Sequence, residues 1–249
     1  MGRPIFWPRT KRGQPYADKV LGTAPGNLLA YWQMKETSGT DADNAQGDAD
    51  RDGTFDGVTL NSSTFFNGDP VGLWDNSNDF MNIWTAEMFQ TAGGVFNGAE
   101  GSLNIWYKSR AASVWTDGQL DRLFVLLVDG NNNLIVSKSN TSNRITWTYE
   151  SGGTLFERHK DSVSDTGWIG LGLTWSETDD EVKAYYKGVQ EGATFTGLGT
   201  WAGLVSSVWA TVGGAPSSAP ANCPDGYEAH LAIWNTPLTA AQMLSVGTQ

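Results

Sequence analysis

The sequence predicts an all-β protein built as two sheets packed face to face, and three observations carry that prediction. Apolar residues fall in short runs of strand length: 28–32 (LLAYW), 101–108, 122–128 (RLFVLLV), 133–137, 144–149, 167–175, 182–187, 210–213 and 227–234 (YEAHLAIW). Several runs alternate with period two, so that Ile105 and Tyr107 point one way and Trp106 and Lys108 the other. Turn chemistry separates them. Asp129-Gly130-Asn131-Asn132 divides two runs as a hairpin loop does, and the stretch 176–180 (SETDD) divides two more. A half-apolar sheet must cover its apolar face with a second layer, hence two packed sheets. Strand periodicity by itself leaves a sandwich and a closed barrel equally open.

Length and composition agree with a single large sandwich. The chain has 249 residues, 39% of them hydrophobic and 12% aromatic, with 12 Trp, which is enough apolar area for a core and argues against disorder. The 30 Gly outnumber the 9 Pro, as suits strands joined by turns. A formal net charge of -11 argues against a nucleic-acid partner and favours cationic ones, calcium among them. The single cysteine, Cys223, allows no intrachain disulfide, and only His159 and His230 could serve it as a base. The bland reading of Cys223 is a small, inert, partly buried residue. No stretch approaches the roughly 20 apolar residues of a membrane helix, so no membrane partner is expected. The basic N-terminus has no apolar segment behind it, and Phe6 stands where a myristoylation signal needs Ser or Thr. The expectation is therefore a chain marked for neither secretion nor lipidation.

The chain divides into an N-terminal arm, residues 1–27, and a sandwich, residues 28–249. Residues 1–19 hold Arg3, Arg9, Lys11, Arg12 and Lys19 against Asp18 alone. They also hold Pro4, Pro8 and Pro15 beside Phe6, Trp7 and Tyr16. The prolines predict an extended arm, and Arg3, Phe6, Trp7, Arg9, Lys11, Arg12 and Tyr16 are its candidate partner-binding residues. One short C-terminal helix is predicted from Pro237 onward, Ala-rich, with Thr239 as N-cap. Residues 87–90 read as a further turn of helix.

Five motifs, in register across roughly residues 28–247, resemble a known family. Leu29-Ala30-Tyr31-Trp32 running to Ser38-Gly39-Thr40, Gly101–Lys108 (GSLNIWYK), Trp168 through Thr174-Trp175, Val182–Gly188 and Glu228–Leu238 are similar to the strands of concanavalin A-like, laminin-G-like domains. Lys187 and the segment Glu228-Ala229-His230 depart from the acidic residues usual there. The resemblance implies a jelly roll of two antiparallel sheets. It implies a carbohydrate-binding, adhesive or structural module, with calcium bound in some members, and the fold does not fix which.

The best candidate site by motif is acidic. Asp48-Ala49-Asp50-Arg51-Asp52-Gly53-Thr54-Phe55-Asp56 follows the first two-thirds of an EF-hand loop, which makes Asp48, Asp50, Asp52, Thr54 and Asp56 candidate calcium ligands. The twelfth position is Thr59 where a bidentate Glu is needed, so Asp41, Asp43 or a distant acid would have to complete the set. The bland alternative is a solvated acidic turn. Glu177-Thr178-Asp179-Asp180-Glu181 superficially fits the acids of a retaining glycanase, but its polar spacers and its position between two runs predict a hairpin turn. Trp7, Trp74, Trp84, Trp115 and Trp201 fall in loop-like surroundings and are candidate sugar platforms. Trp32, Trp106, Trp168, Trp175 and Trp234 fall on strands and are expected in the core. His159 and His230 are read as ordinary surface or hydrogen-bonded histidines.

These readings predict a non-enzymatic binding or structural module. The main expectation is a virion surface component, a capsid decoration or tail protein that docks through its arm onto a multimeric protein assembly. It reconciles an extracellular fold type with a chain lacking disulfides and an export signal. The alternative is a glycan-binding, lectin-like module of a bacterial surface or extracellular protein, and the third reading is a glycan hydrolase.

Overall fold

Period-two patterning is realised as sixteen antiparallel strands among the described residues, which are 15–90, 94–214 and 222–249 of the computed structural model. In chain order these are β1 (Leu28–Trp32), β2 (Asp41–Ala42), β3 (Gly53–Asp56), β4 (Thr59–Thr64), β5 (Pro70–Asp75) and β6 (Phe80–Asn82). Next come β7 (Glu100–Ser109), β8 (Asp121–Asp129), β9 (Asn132–Lys138), β10 (Ile145–Ser151) and β11 (Thr154–Lys160). The last are β12 (Ile169–Ser176), β13 (Glu181–Tyr186), β14 (Val189–Gln190), β15 (Ala210–Gly213) and β16 (Asp225–Trp234). Three short helices accompany them: α1 (Tyr16–Leu21), α2 (Ala86–Phe89) and α3 (Ala240–Gly247).

The strands form two eight-stranded sheets, an antiparallel β-sandwich. One runs β14-β13-β12-β7-β16-β5-β4, with β1 also paired to β16. The other runs β11-β10-β9-β8-β15-β6-β3-β2. The main core lies between them and takes Trp32, Trp74, Trp115, Trp147 and Trp175 from strands and connections alike. The predicted hairpins are present: β8 turns into β9 through Gly130-Asn131, and residues 177–180 turn β12 into β13. Thr239 caps α3 in a full capping box with Gln242, as its sequence predicts.

The two sheets differ on their outer faces, and this decides where a ligand can reach. The outer face of the β7–β12–β16 sheet carries a second apolar cluster, Tyr31, Phe65, Trp106, Trp168 and Trp234, closed over by Tyr16 and Val20 of α1 and Met243 and Val246 of α3. Its central strands are thus covered on both sides, which is why β7 and β12 read as near-continuous apolar runs. We call it the covered sheet. The other sheet keeps polar residues on the outer faces of β9, β10 and β11, and we call it the open sheet.

α1 corrects the arm as drawn from sequence. Pro15 does not prevent a helix here but starts one, because its missing N–H and fixed φ suit the position before the first turn, and Gly22 ends it. Tyr16, expected to anchor a partner, is 3% exposed. Its hydroxyl donates to Val246 O at 2.5 Å and accepts from Trp106 Nε1 at 2.6 Å, so it fastens α1 to the protein's own sandwich. Arg3, Phe6, Trp7, Arg9, Lys11 and Arg12 lie outside the described residues.

Candidate functional site: a groove on the open sheet

Cross-strand register builds the site. Arg122 of β8 lies opposite Ser137 of β9, Ser137 opposite Thr146 of β10, and Thr146 opposite His159 of β11. With strands about 4.8 Å apart, the row Arg122–Ser137–Thr146–His159 crosses four strands over roughly 14 Å. A parallel row two residues along places Ile135 opposite Thr148, and Thr148 opposite Glu157. Small side chains in the middle and long ones at the ends make a groove of ≈ 360 Å³, lined also by Leu120, Ser139 and Arg144. That volume is at the lower end of small-ligand sites.

The walls are held in place. The Arg122 guanidinium lies over the Trp209 ring, 5.3 Å from its centre. Burial lowers the Arg122 pKa. Arg144 Nε donates to Asp161 Oδ1 at 2.6 Å. His159 Nδ1 is 3.1 Å from Thr146 Oγ1, and its Nε2 is 3.1 Å from Glu157 Oε1, so both ring nitrogens are oriented. Chemically the groove offers hydroxyls, a guanidinium, an imidazole and a carboxylate on a rigid sheet. These groups form a hydrogen-bonding surface, and sheet strands position it more firmly than loops would.

The motif-based candidates fare differently. The acidic loop does not close around a point. Asp48 caps a single 3₁₀ turn by accepting from Asp50 N and pairs with Arg51 at 3.2 Å. Arg51 also donates to Leu29 O and Glu87, so a guanidinium takes up one of the carboxylates a cation would need, Asp48. Asp52 Oδ1 accepts from Asn44 N at 2.7 Å. Thr54 and Asp56 then leave on β3, an extended strand that runs away from the turn instead of curling about it. Among the described residues no three His, Cys, Asp or Glu side chains are placed to hold a metal ion, so the residues present do not fit calcium.

Trp74, Trp115 and Trp201, candidate platforms by sequence, are buried in the main core, and Trp84 is half-buried with its Nε1 donating to Val205 O. Trp7 lies outside the described residues. The five strand tryptophans are buried as expected. Trp209 does not line the groove but packs against Arg122, which does, and sequence reasoning missed it because a lone Trp before a four-residue strand carries no signal of its own. Glu177 accepts from Trp201 N, and Asp180 caps the N–H groups of Gly197 and Leu198, so these acids serve the turn. Cys223 is buried, and burial raises its thiol pKa.

His230 is no surface histidine. It is fully buried with φ 54°, at a bulge where β16 changes partner from β5 to β1. Its Nδ1 is 2.7 Å from the Tyr31 hydroxyl, and burial pushes its pKa down to about 3, so it is neutral. One residue-pair away, Glu228 is fully buried between the sheets with neither carboxylate oxygen hydrogen-bonded. Burial, and then the charge of Asp121, push its pKa well up. Asp121 itself pairs with buried Lys138 at 3.2 Å, and burial raises it to about 6. These groups are sealed from solvent and do not line the groove. A second cavity of ≈ 540 Å³ opens between α1, Phe66, Lys35 and Gln249, beginning at Pro15, the first described residue.

Comparison with solved structures finds the same two-sheet sandwich fold in other proteins. The fold matches domain 4 of a GH43 extracellular arabinanase from Geobacillus stearothermophilus, solved with arabinotriose, at a TM-score of 0.62 and 15% identity over 89% of this chain and 98% of that one. It matches the receptor binding domain of botulinum neurotoxin type G at 0.59 and 14% identity, covering 88% of this chain and 50% of that one. A mutant Trypanosoma rangeli sialidase matches at 0.64 and 11% identity, with 94% of this chain on 38% of the enzyme. These identities establish the fold alone. No protein-family model matches the sequence, and no curated protein is similar to it in sequence.

Proposed function

We propose that the protein is a non-enzymatic glycan-binding module whose site is the groove across β8–β11. The observation that carries this reading is the row Arg122–Ser137–Thr146–His159, groove-lining polar groups in register on a rigid floor. The like-folded arabinanase domain solved with arabinotriose supports it. The expectation of a virion component rested on an extracellular fold type in a chain without disulfides or an export signal, and on the arm. Tyr16 is turned into the domain, and the other candidate partner-binding residues of the arm lie outside the described residues, so the glycan reading has the stronger support. An extracellular or cell-surface setting goes with that reading.

The test is a glycan array followed by titration calorimetry, with Thr148→Trp as the plug. Thr148 is half-exposed on the groove floor, so a large ring there fills the groove without entering the core. Oligosaccharide binding that disappears in the plugged variant, at an unchanged melting temperature, is the expected result. Binding that survives the plug would move the site elsewhere, and an empty array would end the reading.

A further inference from the structure

We propose that this groove selects glycans carrying a carboxylate, with Arg122 as the group that holds it; the inference rests on the glycan reading above. The argument begins with what Arg122 lacks. Among the described residues Arg51, Arg110 and Arg144 pair with carboxylates, and Arg158 donates to Ala193 O. Arg122 has no ion pair and no side-chain hydrogen bond among them. The segments 1–14, 91–93 and 215–221 contain no Asp or Glu, so all 27 acids of the chain are accounted for. Among the five described arginines, Arg122 alone has neither a carboxylate nor a side-chain hydrogen bond among the described residues.

Its geometry fits a planar anion. The Arg122 guanidinium lies over the Trp209 ring at cation–π distance. Its N–H fork has no partner among the described residues, and the fork matches the two oxygens of a carboxylate. Partial burial raises the value of such a pair, because a guanidinium already stripped of part of its water has less left to lose.

The rest of the row sets direction. Ser137 and Thr146 follow Arg122 at inter-strand spacing and can meet ring hydroxyls. Glu157 stands at the far side, beside His159, and repels a second anion there. The groove thus favours a sugar acid at the Arg122 end and neutral sugar at the His159 end. The net charge of -11 means that the body of the protein does not attract polyanions in general, so any preference for acid must come from this site.

The experiment compares three probes by titration calorimetry on the full chain: a glucuronate-terminated oligosaccharide, its methyl ester, and a sulfated oligosaccharide of the same length. The acid is expected to bind about tenfold or more tighter than its ester, since hydrogen bonds to charged groups exceed neutral ones by that order. The preference should shrink as salt is raised. Arg122→Gln should bind acid and ester alike while melting at the parental temperature. Equal binding of acid and ester by the parent would overturn the inference and leave glycan binding standing. Preference for the sulfated probe over the carboxylate, or a preference for acid that persists in Arg122→Gln, would also overturn it. Failure of all three probes, together with an empty neutral array, would remove the glycan reading with it.

Discussion

Replacing Glu228 with Gln tests the electrostatics of the core directly. Glu228 is fully buried with both oxygens unpaired, and its pKa is pushed well above 4.5. In the unfolded chain the same carboxyl ionises near 4.5. Between those two values the folded protein holds a proton that the unfolded chain has released, so stability falls as pH rises through this window. The slope is about 1.4 kcal/mol per pH unit. For a carboxyl still protonated when folded at pH 7, the accumulated loss is about 3 kcal/mol. Gln has the shape of the protonated acid and no proton to lose. Its amide brings two unpaired donors at a cost of about 1–3 kcal/mol, but that cost does not change with pH. The diagnostic is therefore the difference between variant and parent, measured by urea unfolding in half-unit steps from pH 4.5 to 7. That difference should move in favour of Glu228→Gln by about 1.4 kcal/mol per unit. For a domain of this size, the corresponding melting temperatures should diverge by about 3–5 °C per unit. Parallel curves would refute the reasoning, because they would mean that the carboxylate ionises in the fold at its ordinary pKa.

Two further outcomes follow from the packing and the loop. Tyr16→Phe removes the bond to Val246 O and the acceptor for Trp106 Nε1, and should lower stability by about 1–3 kcal/mol in the same unfolding assay; no change would mean that α1 is not fastened there. Calcium at millimolar concentration and EDTA should give the same melting curve, because Arg51 and backbone N–H groups already occupy Asp48 and Asp52; a calcium-dependent rise lost in Asp50→Ala would show that the 48–56 loop re-forms around the ion.

What the sequence determined by itself is local. Apolar runs of strand length located β7, β8, β12 and β16, and the Asp129–Asn132 turn residues located a hairpin. Thr239 located the start of α3 as its N-cap, because capping acts within one helical turn. The five tryptophans on strand patterns were placed in the core for the same reason: alternation states which face of a strand is apolar. Local signals also misled. The D-x-D-x-D-G spacing reads as a metal loop until Arg51 and the pull of β3 into the open sheet are known, and Pro15 reads as a breaker until the apolar seat for Tyr16 and Val20 is known. Tertiary structure alone decided the groove. Alternation places Arg122, Ser137, Thr146 and His159 on some outward face, but not beside one another, since neighbours across a sheet are set by inter-strand register. It alone buried Glu228 and His230, through a bulge in β16 that sequence periodicity does not announce. The physical reason is the same in each case: a residue's face depends on the few dihedral angles around it, while its partners depend on how distant segments share one core.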